Sequence, residues 1–326
     1  MSSLTIETSH PVSKPATKTS IFLAFASVYF FWGSTYTAIR IGAAEMPPLL
    51  FTGTRFIIAG AILLAWCRWR GMRLVFPVKT MLMLTLIGLL LLGCGNLFLV
   101  YAEKTLPSGL SSLILAVTPL FVALAEMFLP GGEPMPSRGW LGMIIGFAGL
   151  SALLWPSLRM GFAGNRSILL AIVALFASAL VWTVGSILSR RARLPVNSFV
   201  AASWQMLFAG AFNTALGSLL GQWPQFRLNR PAVGSLAWLV TGGSLLGYTG
   251  FIYLLEHVPV AKVASYSYVN PVVAVLLGIL ILHERPEAPE FAGMAAVVFA
   301  VFLLISAQVR PKPNPEKPEA AGAGDS

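Results

Sequence analysis

The chain carries ten apolar runs, each long enough to cross a bilayer and most of them only five to ten residues apart. They fall at about 20–40, 48–67, 79–101, 107–129, 138–156, 167–189, 197–220, 232–255, 260–282 and 289–308. A hydrocarbon layer about 30 Å thick needs roughly 20 apolar residues per helix, so the runs predict transmembrane helices before any motif is considered. A soluble fold offers no core for them: the 326 residues are 56% hydrophobic and 10% charged, with mean hydropathy +0.78. The expected fold is an all-α integral membrane protein of ten transmembrane helices, with no soluble domain in the short connections.

The apolar run from Ile21 to Ile39 is too long for a signal-peptide core and reads as a retained first helix. The polar Ser/Thr/Pro-rich residues before it, and a Pro-rich tail from Arg310 to Ser326, lack apolar residues to bury. The net charge of +10 is spread in short clusters between apolar runs, which argues for loop charge and against a nucleic-acid surface. Ten is even, so both termini share one side. With the termini cytoplasmic, fourteen Lys and Arg lie inside and seven outside, which favours that orientation. Cys67 and Cys94 lack the spacing of a redox or zinc site and read as free thiols.

The chain also repeats itself at a period near 150. Trp32 and Arg40 stand eight apart, as do Trp182 and Arg190, an offset of 150. At the same offset Arg55-Phe56-Ile57-Ile58-Ala59-Gly60 lies over Gln205-Met206-Leu207-Phe208-Ala209-Gly210. Tyr101, Pro107 and Pro119 map onto Tyr253, Pro259 and Pro271 at an offset of 152. Each half then holds five helices, an odd number, so the second enters the membrane in the opposite sense. That is the inverted-repeat plan of secondary transporters, which rock about a central site. The expected division is a cytoplasmic segment 1–19, a first repeat 20–156, a connector 157–166, a second repeat 167–308 and a disordered cytoplasmic tail 309–326.

Pro119 and Pro271 fall inside apolar runs, where the missing N–H frees the carbonyls of Leu115 and Ser267. Equivalent Pro-interrupted helices point to hinges at a binding site; a packing kink is the plainer alternative. Arg55 is costly at membrane depth and should face protein or a water-filled cavity, either as a ligand for an anionic group or as a partnered packing residue. Its counterpart Gln205 is neutral. Polar residues at helical spacing mark further candidates. These are Thr241, Ser244 and Tyr248 in the eighth run, Lys262, Tyr266 and Asn270 in the ninth, and Ser178, Trp182, Ser186 and Ser189 in the sixth. Asn96 interrupts the third run, and Trp32, Ser34 and Thr35 lie in the first. The expected substrate-binding set is Trp32, Thr35, Arg55, Asn96, Trp182, Gln205, Tyr248, Tyr266 and Asn270, though small hydroxyls also serve close helix packing. Gly142 with Gly146, and Gly243 with Gly247, read as helix-packing pairs. Glu103 and Glu256 end the third and eighth runs as gating or proton-coupling carboxylates, or as ordinary interfacial caps. Glu126 receives no role.

The run Trp32-Gly33-Ser34-Thr35-Tyr36, then Ile39-Arg40-Ile41-Gly42, Pro47-Pro48-Leu49 and Arg55-Phe56, resembles the first half of EamA-type carriers of the drug/metabolite transporter superfamily. Leu106-Pro107-Ser108-Gly109 and Ser265-Tyr266-Ser267-Tyr268-Val269-Asn270-Pro271-Val272-Val273-Ala274 extend the resemblance, which covers about residues 20–308. It implies ten helices, cytoplasmic termini, a bacterial inner (cytoplasmic) membrane location, a central cavity and export of amino acids, metabolites or drugs. Such carriers often end the fourth and ninth helices with Gly-Glu and a basic residue. Here Gly132-Glu133 is followed by Pro134, and Glu284-Arg285 is preceded by His283, so both copies depart from the pattern.

The expected function is secondary transport of a small-molecule substrate through a lipid bilayer, with protons as candidate coupling ions. No catalytic residue, metal, cofactor or nucleic-acid partner is expected, and no nucleotide-binding loop is present to drive primary transport. Uptake by the same fold is an alternative. An enzyme acting on lipid-linked substrates would need convergent catalytic groups, whereas His10, His257 and His283 are scattered. A receptor or scaffold would have a closed core.

Overall fold

A computed structural model describes residues 17–130, 137–285 and 288–308. Polar N-terminal residues before 17, Glu133 with its neighbours at 131–136, and the tail from 309 lie outside the described residues. The rest is helical, with no strand among the described residues. In chain order the segments are α1 Lys18–Glu45, α2 Pro48–Trp69, α3 Val78–Ala102, α4 Ser108–Phe128 and α5 Ser137–Phe162. There follow α6 Arg166–Arg191, α7 Ser198–Leu219, α8 Arg230–His257, a broken α9 made of Val260–Val263 and Tyr266–Leu282, and α10 Ala288–Gln308. Among the described residues six of these (α1, α2, α3, α4, α6 and α8) are each long and apolar enough to cross a membrane. Shorter apolar helices occupy the α5, α9 and α10 runs.

Local chemistry sets the ends. Pro48 opens α2 and Pro107 precedes α4, positions where a missing N–H costs nothing. Asn197 and Asn229 cap α7 and α8 by accepting from the N–H groups of Phe199 and Ala232. The Asn229 amide also donates to Glu45 at 2.6 Å, tying the start of α8 to the end of α1.

Helices pair with their own counterparts in the other half: α2 packs along α7, and α5 along α10. Glycine lets the α2 and α7 backbones approach. A Cβ on Gly53 would lie 2.8 Å from the Thr214 main-chain N, and one on Gly210 would lie 2.7 Å from that of Ile57. Without a hydrophobic drive in lipid, such close approach is a main source of helix association. Gly60 and Gly210, equivalent in the repeat, both lie in this seam.

Three helices widen locally into π-helical turns: Val28–Trp32 in α1, Leu89–Asn96 in α3 and Leu239–Tyr248 in α8. The turns in α3 and α8 occupy equivalent places in the two halves; α6, the counterpart of α1, runs without one. Such turns often mark functional positions, because they re-aim side chains and loosen carbonyls from the ladder.

The prolines behave differently from each other. Pro119 stands just after a two-residue break at Ala116–Val117 in α4, and the Thr118 hydroxyl donates to the freed Leu115 carbonyl at 2.6 Å. Pro271 lies within an unbroken stretch, and α9 breaks earlier, at Ala264–Ser265.

The two ends of the bundle repeat one device. At one end Arg40 Nη1 donates to the main-chain carbonyls of Glu103 and, at 3.1 Å, Leu106. At the other, Arg190 Nη1 donates to those of Leu255 and Glu256 at 2.9 and 3.0 Å. Each arginine thus satisfies the unpaired carbonyls that close α3 or α8, where the helix dipole also favours a cation. The offset of 150 in sequence therefore encodes a helix C-cap delivered from another helix. At the Arg190 end Glu126, unassigned from sequence, pairs with Arg191 at 2.8 Å.

Candidate functional site: a cavity between the halves

A cavity of about 70 Å³ lies where α1, α2, α3, α4, α6, α8 and α9 converge. This is several times the roughly 10–15 Å³ that a cavity needs to hold a water. Of the nine binding residues expected from sequence, Trp32, Thr35, Arg55, Asn96, Trp182, Tyr248, Tyr266 and Asn270 line it. Gln205 stands behind, accepting a hydrogen bond from the Tyr248 hydroxyl at 2.7 Å.

The π-helical turns explain much of this convergence. They end at Trp32, Asn96 and Tyr248, all three of which line the cavity. Carbonyls within the turns serve as acceptors between helices. Trp32 Nε1 donates to Gly243 O at 3.1 Å, and Ser178 Oγ donates to Gly95 O at 2.7 Å.

Arg55 is buried in α2. Its Nε donates to Ser244 Oγ at 3.0 Å, its Nη1 faces Asn96 Oδ1 at 3.5 Å, and its guanidinium carbon lies 4.8 Å from the Phe56 ring centre. Among the described residues no carboxylate lies within ion-pair distance of it. A guanidinium carries five donors, so these neutral neighbours leave much of its capacity unused.

An aromatic cluster built on the lining residues Trp32, Trp182 and Tyr266 forms another part of the wall. The equivalent residues Trp32 and Trp182 meet edge to face at 5.5 Å, and Trp32 meets Tyr266 at 5.1 Å. Phe251, absent from the expected set, packs on both tryptophans at 4.8 and 5.5 Å. Deeper in α9 the Asn270 Oδ1 is buried with no hydrogen-bond partner among the described residues.

Most small hydroxyls here are spent on their own helices. Thr35, Ser112 and Ser186 donate to the main-chain carbonyls of Trp32, Gly109 and Trp182. Thr241 is exposed and Lys262, also exposed, sits before the α9 break, so neither joins its expected stripe at the cavity. Gly243 and Gly247 do something other than join helix backbones. A Cβ on Gly243 would lie 2.7 Å from Arg55 Nη2, and one on Gly247 would lie 2.6 Å from Trp32 Cδ1. They clear space for the two side chains that define the cavity.

Glu103 and Glu256 are not in the cavity. Glu103 is fully buried at the Arg40 end, whereas Glu256 is exposed and accepts from the Ser198 hydroxyl at the start of α7. A third carboxylate, Glu284, joins the end of α9 to the start of α4. It follows α9, turned back by His283 at φ 55°, and accepts from the Ser108 N–H at 2.8 Å, the Ser108 hydroxyl at 2.9 Å and the Gly109 N–H at 3.3 Å. Pro107 offers no capping side chain, so α4 takes its N-cap from the other half.

The EamA-like transporter family model matches residues 18–155 and again 169–306, nearly the whole chain in two copies. The chain belongs to the EamA-like transporter family. It is 34% identical over 286 residues to the uncharacterized inner membrane transporter YedA of Escherichia coli, covering 87% of this chain and 90% of that protein. It is 27% identical over 319 residues to the uncharacterized transporter YvbV of Bacillus subtilis, covering 95% and 97% of the two chains. A protein of known crystal structure shares the fold with TM-score 0.68 at 24% identity, covering 90% of this chain and all of that one. This EamA-like chain is thus a multi-pass membrane transporter of two-repeat architecture, and the cavity lies where its repeats meet.

Proposed function

We propose that the chain is a secondary transporter that exports a small organic solute carrying a carboxylate, by alternating access through the Arg55 cavity. One observation carries the reading: a buried guanidinium faces a cavity shared by both halves while its neighbours there are neutral. A permanently unpaired buried charge is strongly disfavoured, so an anionic group of the substrate is its natural counter-ion. The aromatic wall formed by Trp32, Trp182 and Tyr266, with Phe251 packed on the tryptophans, suits the apolar or cationic remainder of the solute.

The binding set is Trp32, Thr35, Arg55, Asn96, Trp182, Tyr248, Tyr266 and Asn270, with Gln205 holding Tyr248. The halves rock with flexure at the α4 interruption beside Pro119 and at the α9 interruption at Ala264–Ser265, which precedes Pro271, and proton exchange supplies the driving force. Both termini are cytoplasmic, which puts the Arg40 end outside; reporter fusions to the C-terminus test that orientation.

The decisive experiment is flux in proteoliposomes against a panel of amino acids, other carboxylates and neutral analogues. Movement of a carboxylate solute, lost in Arg55→Ala, is the expected result. Equal movement of its ester or amide would overturn the anion-binding role of Arg55. No flux of any panel member would count against the carrier reading itself.

A further inference from the structure

Glu103 is the buried ionisable group that the cavity leaves unused. It caps the end of α3, is fully buried, and both its carboxylate oxygens lack a hydrogen-bond partner among the described residues. An ionised carboxylate so placed would bear a desolvation cost of several kcal/mol with little in return. The titratable groups facing it are Tyr36 and Arg40 of α1 and Glu284 beyond α9.

Arg40 is close, yet its Nη1 is committed to the main-chain carbonyls of Glu103 and Leu106. Glu284 is the better place for negative charge, because three donors at the positive end of α4 hold it. Burial holds the Glu103 carboxyl well above the usual carboxylate range, with Arg40 opposing the shift and Glu284 adding to it.

Resting on the carrier reading above, we propose that Glu103 is a proton-binding site of this transporter and that release of its proton loosens the Arg40 end of the bundle. The proton passes to water, and the new carboxylate competes for the Arg40 guanidinium. Arg40 then leaves the carbonyls at the α3–α4 corner. The same negative charge works against Glu284, which joins the end of α9 to the start of α4. Gly278 leaves no space for a Cβ beside the Glu284 carboxylate, so the carboxylate lies close against the α9 backbone. The contacts that close this end therefore weaken together. The nearly equivalent residue at the other end, Glu256, is exposed and provides an internal control.

Infrared difference spectroscopy of the reconstituted full-length protein, titrated with pH, tests the site without knowledge of the solute. A protonated-carboxyl stretch that persists to neutral pH is expected. It should vanish in Glu103→Gln and remain in Glu284→Gln and Glu256→Gln. No such band in the wild type, or a band unchanged in Glu103→Gln, overturns the proposal. Should Glu103→Gln fail to fold, Glu103→Asp must shift the titration of the band; an unshifted titration overturns the proposal equally. Flux separates the two readings. If a carboxylate solute moves but its pH-driven accumulation survives in Glu103→Gln, the carrier stands and the coupling role falls. If the band behaves as expected and no solute moves, the carrier reading falls alone.

Discussion

The same contact between second and third helices of a repeat is built twice, from different chemistry. In the first half Arg55 of α2 faces Asn96 of α3 at 3.5 Å; in the second, Gln205 of α7 receives the Tyr248 hydroxyl of α8 at 2.7 Å. The residues correspond at offsets of 150 and 152, and both third helices reach the contact through a π-helical turn. The Gln–Tyr pair is short and faces itself. The Arg–Asn pair is long, charged and has donors to spare. An inverted repeat can thus keep its scaffold symmetric while one half binds and the other braces.

The largest expected effect comes from removing the binding member. Arg55→Ala should lower the flux of a carboxylate solute by about 100-fold or more, matching the ~3 kcal/mol typical of a lost buried charge contact. Arg55→Lys should recover only part, because a point charge cannot reproduce the planar fork that now spans Ser244 and Asn96. Initial-rate measurements in liposomes decide both; equal rates in wild type and Arg55→Ala would erase the difference between the halves.

Next in size is a pair of glycines that sit under the two tryptophans. A Cβ on Gly247 would lie 2.6 Å from Trp32, and one on the equivalent Gly95 would lie 3.3 Å from Trp182. Overpacking of a close-packed site costs about 1–3 kcal/mol, so Gly247→Ala should lower thermal stability in detergent by that order and Gly95→Ala by less. The reverse order would show that the Trp32 side has slack that the static geometry does not display.

How far the sequence carried this picture depends on what its signals encode. Hydropathy and the 150-residue period suffice for an all-helical two-repeat membrane fold, because lipid forces backbone bonding within helices and repeated residues must serve repeated contacts. Trp32, Arg55, Asn96, Tyr248 and Asn270 stood out as polar or aromatic interruptions of apolar runs. Gln205 stood out for the same reason, but hydropathy cannot distinguish a residue lining a cavity from one behind it. Phe251 was invisible, since an aromatic residue in an apolar run carries no contrast. The π-helical turns in α3 and α8 left no sequence mark beyond the glycines Gly93, Gly95, Gly242, Gly243 and Gly247, and the turn in α1 holds none. Glu284 was legible only through family resemblance; its partners Ser108 and Gly109 are 175 residues away or more, and no local periodicity reports such a pairing.

A smaller effect should follow from loosening the bracing half. Tyr248→Phe removes one neutral hydrogen bond to Gln205 and leaves its Oε1 buried, which costs about 1 kcal/mol and a few-fold in solute affinity. The change should act through the position of the ring at the cavity, so apparent affinity should shift more than maximal rate. An effect as large as that of Arg55→Ala would mean that Gln205 and Tyr248 contact the solute directly.

The smallest effect belongs to the exposed end of the bundle, and it tests whether location or residue type matters. Glu256→Gln keeps an acceptor for the Ser198 hydroxyl and removes only a solvated charge, so stability should change by less than about 0.5 kcal/mol. Glu103 differs through burial. With its folded-state pKa raised, the folded protein holds the proton more tightly than the unfolded chain. Its contribution is full below the ordinary carboxylate range and is lost as pH rises toward the folded-state value. Thermal unfolding across that window should therefore show stability falling with pH in wild type, and the same slope in Glu256→Gln. Glu103→Gln should flatten it. A slope that disappears in Glu256→Gln instead would transfer the titrating role to the opposite end and reverse the comparison.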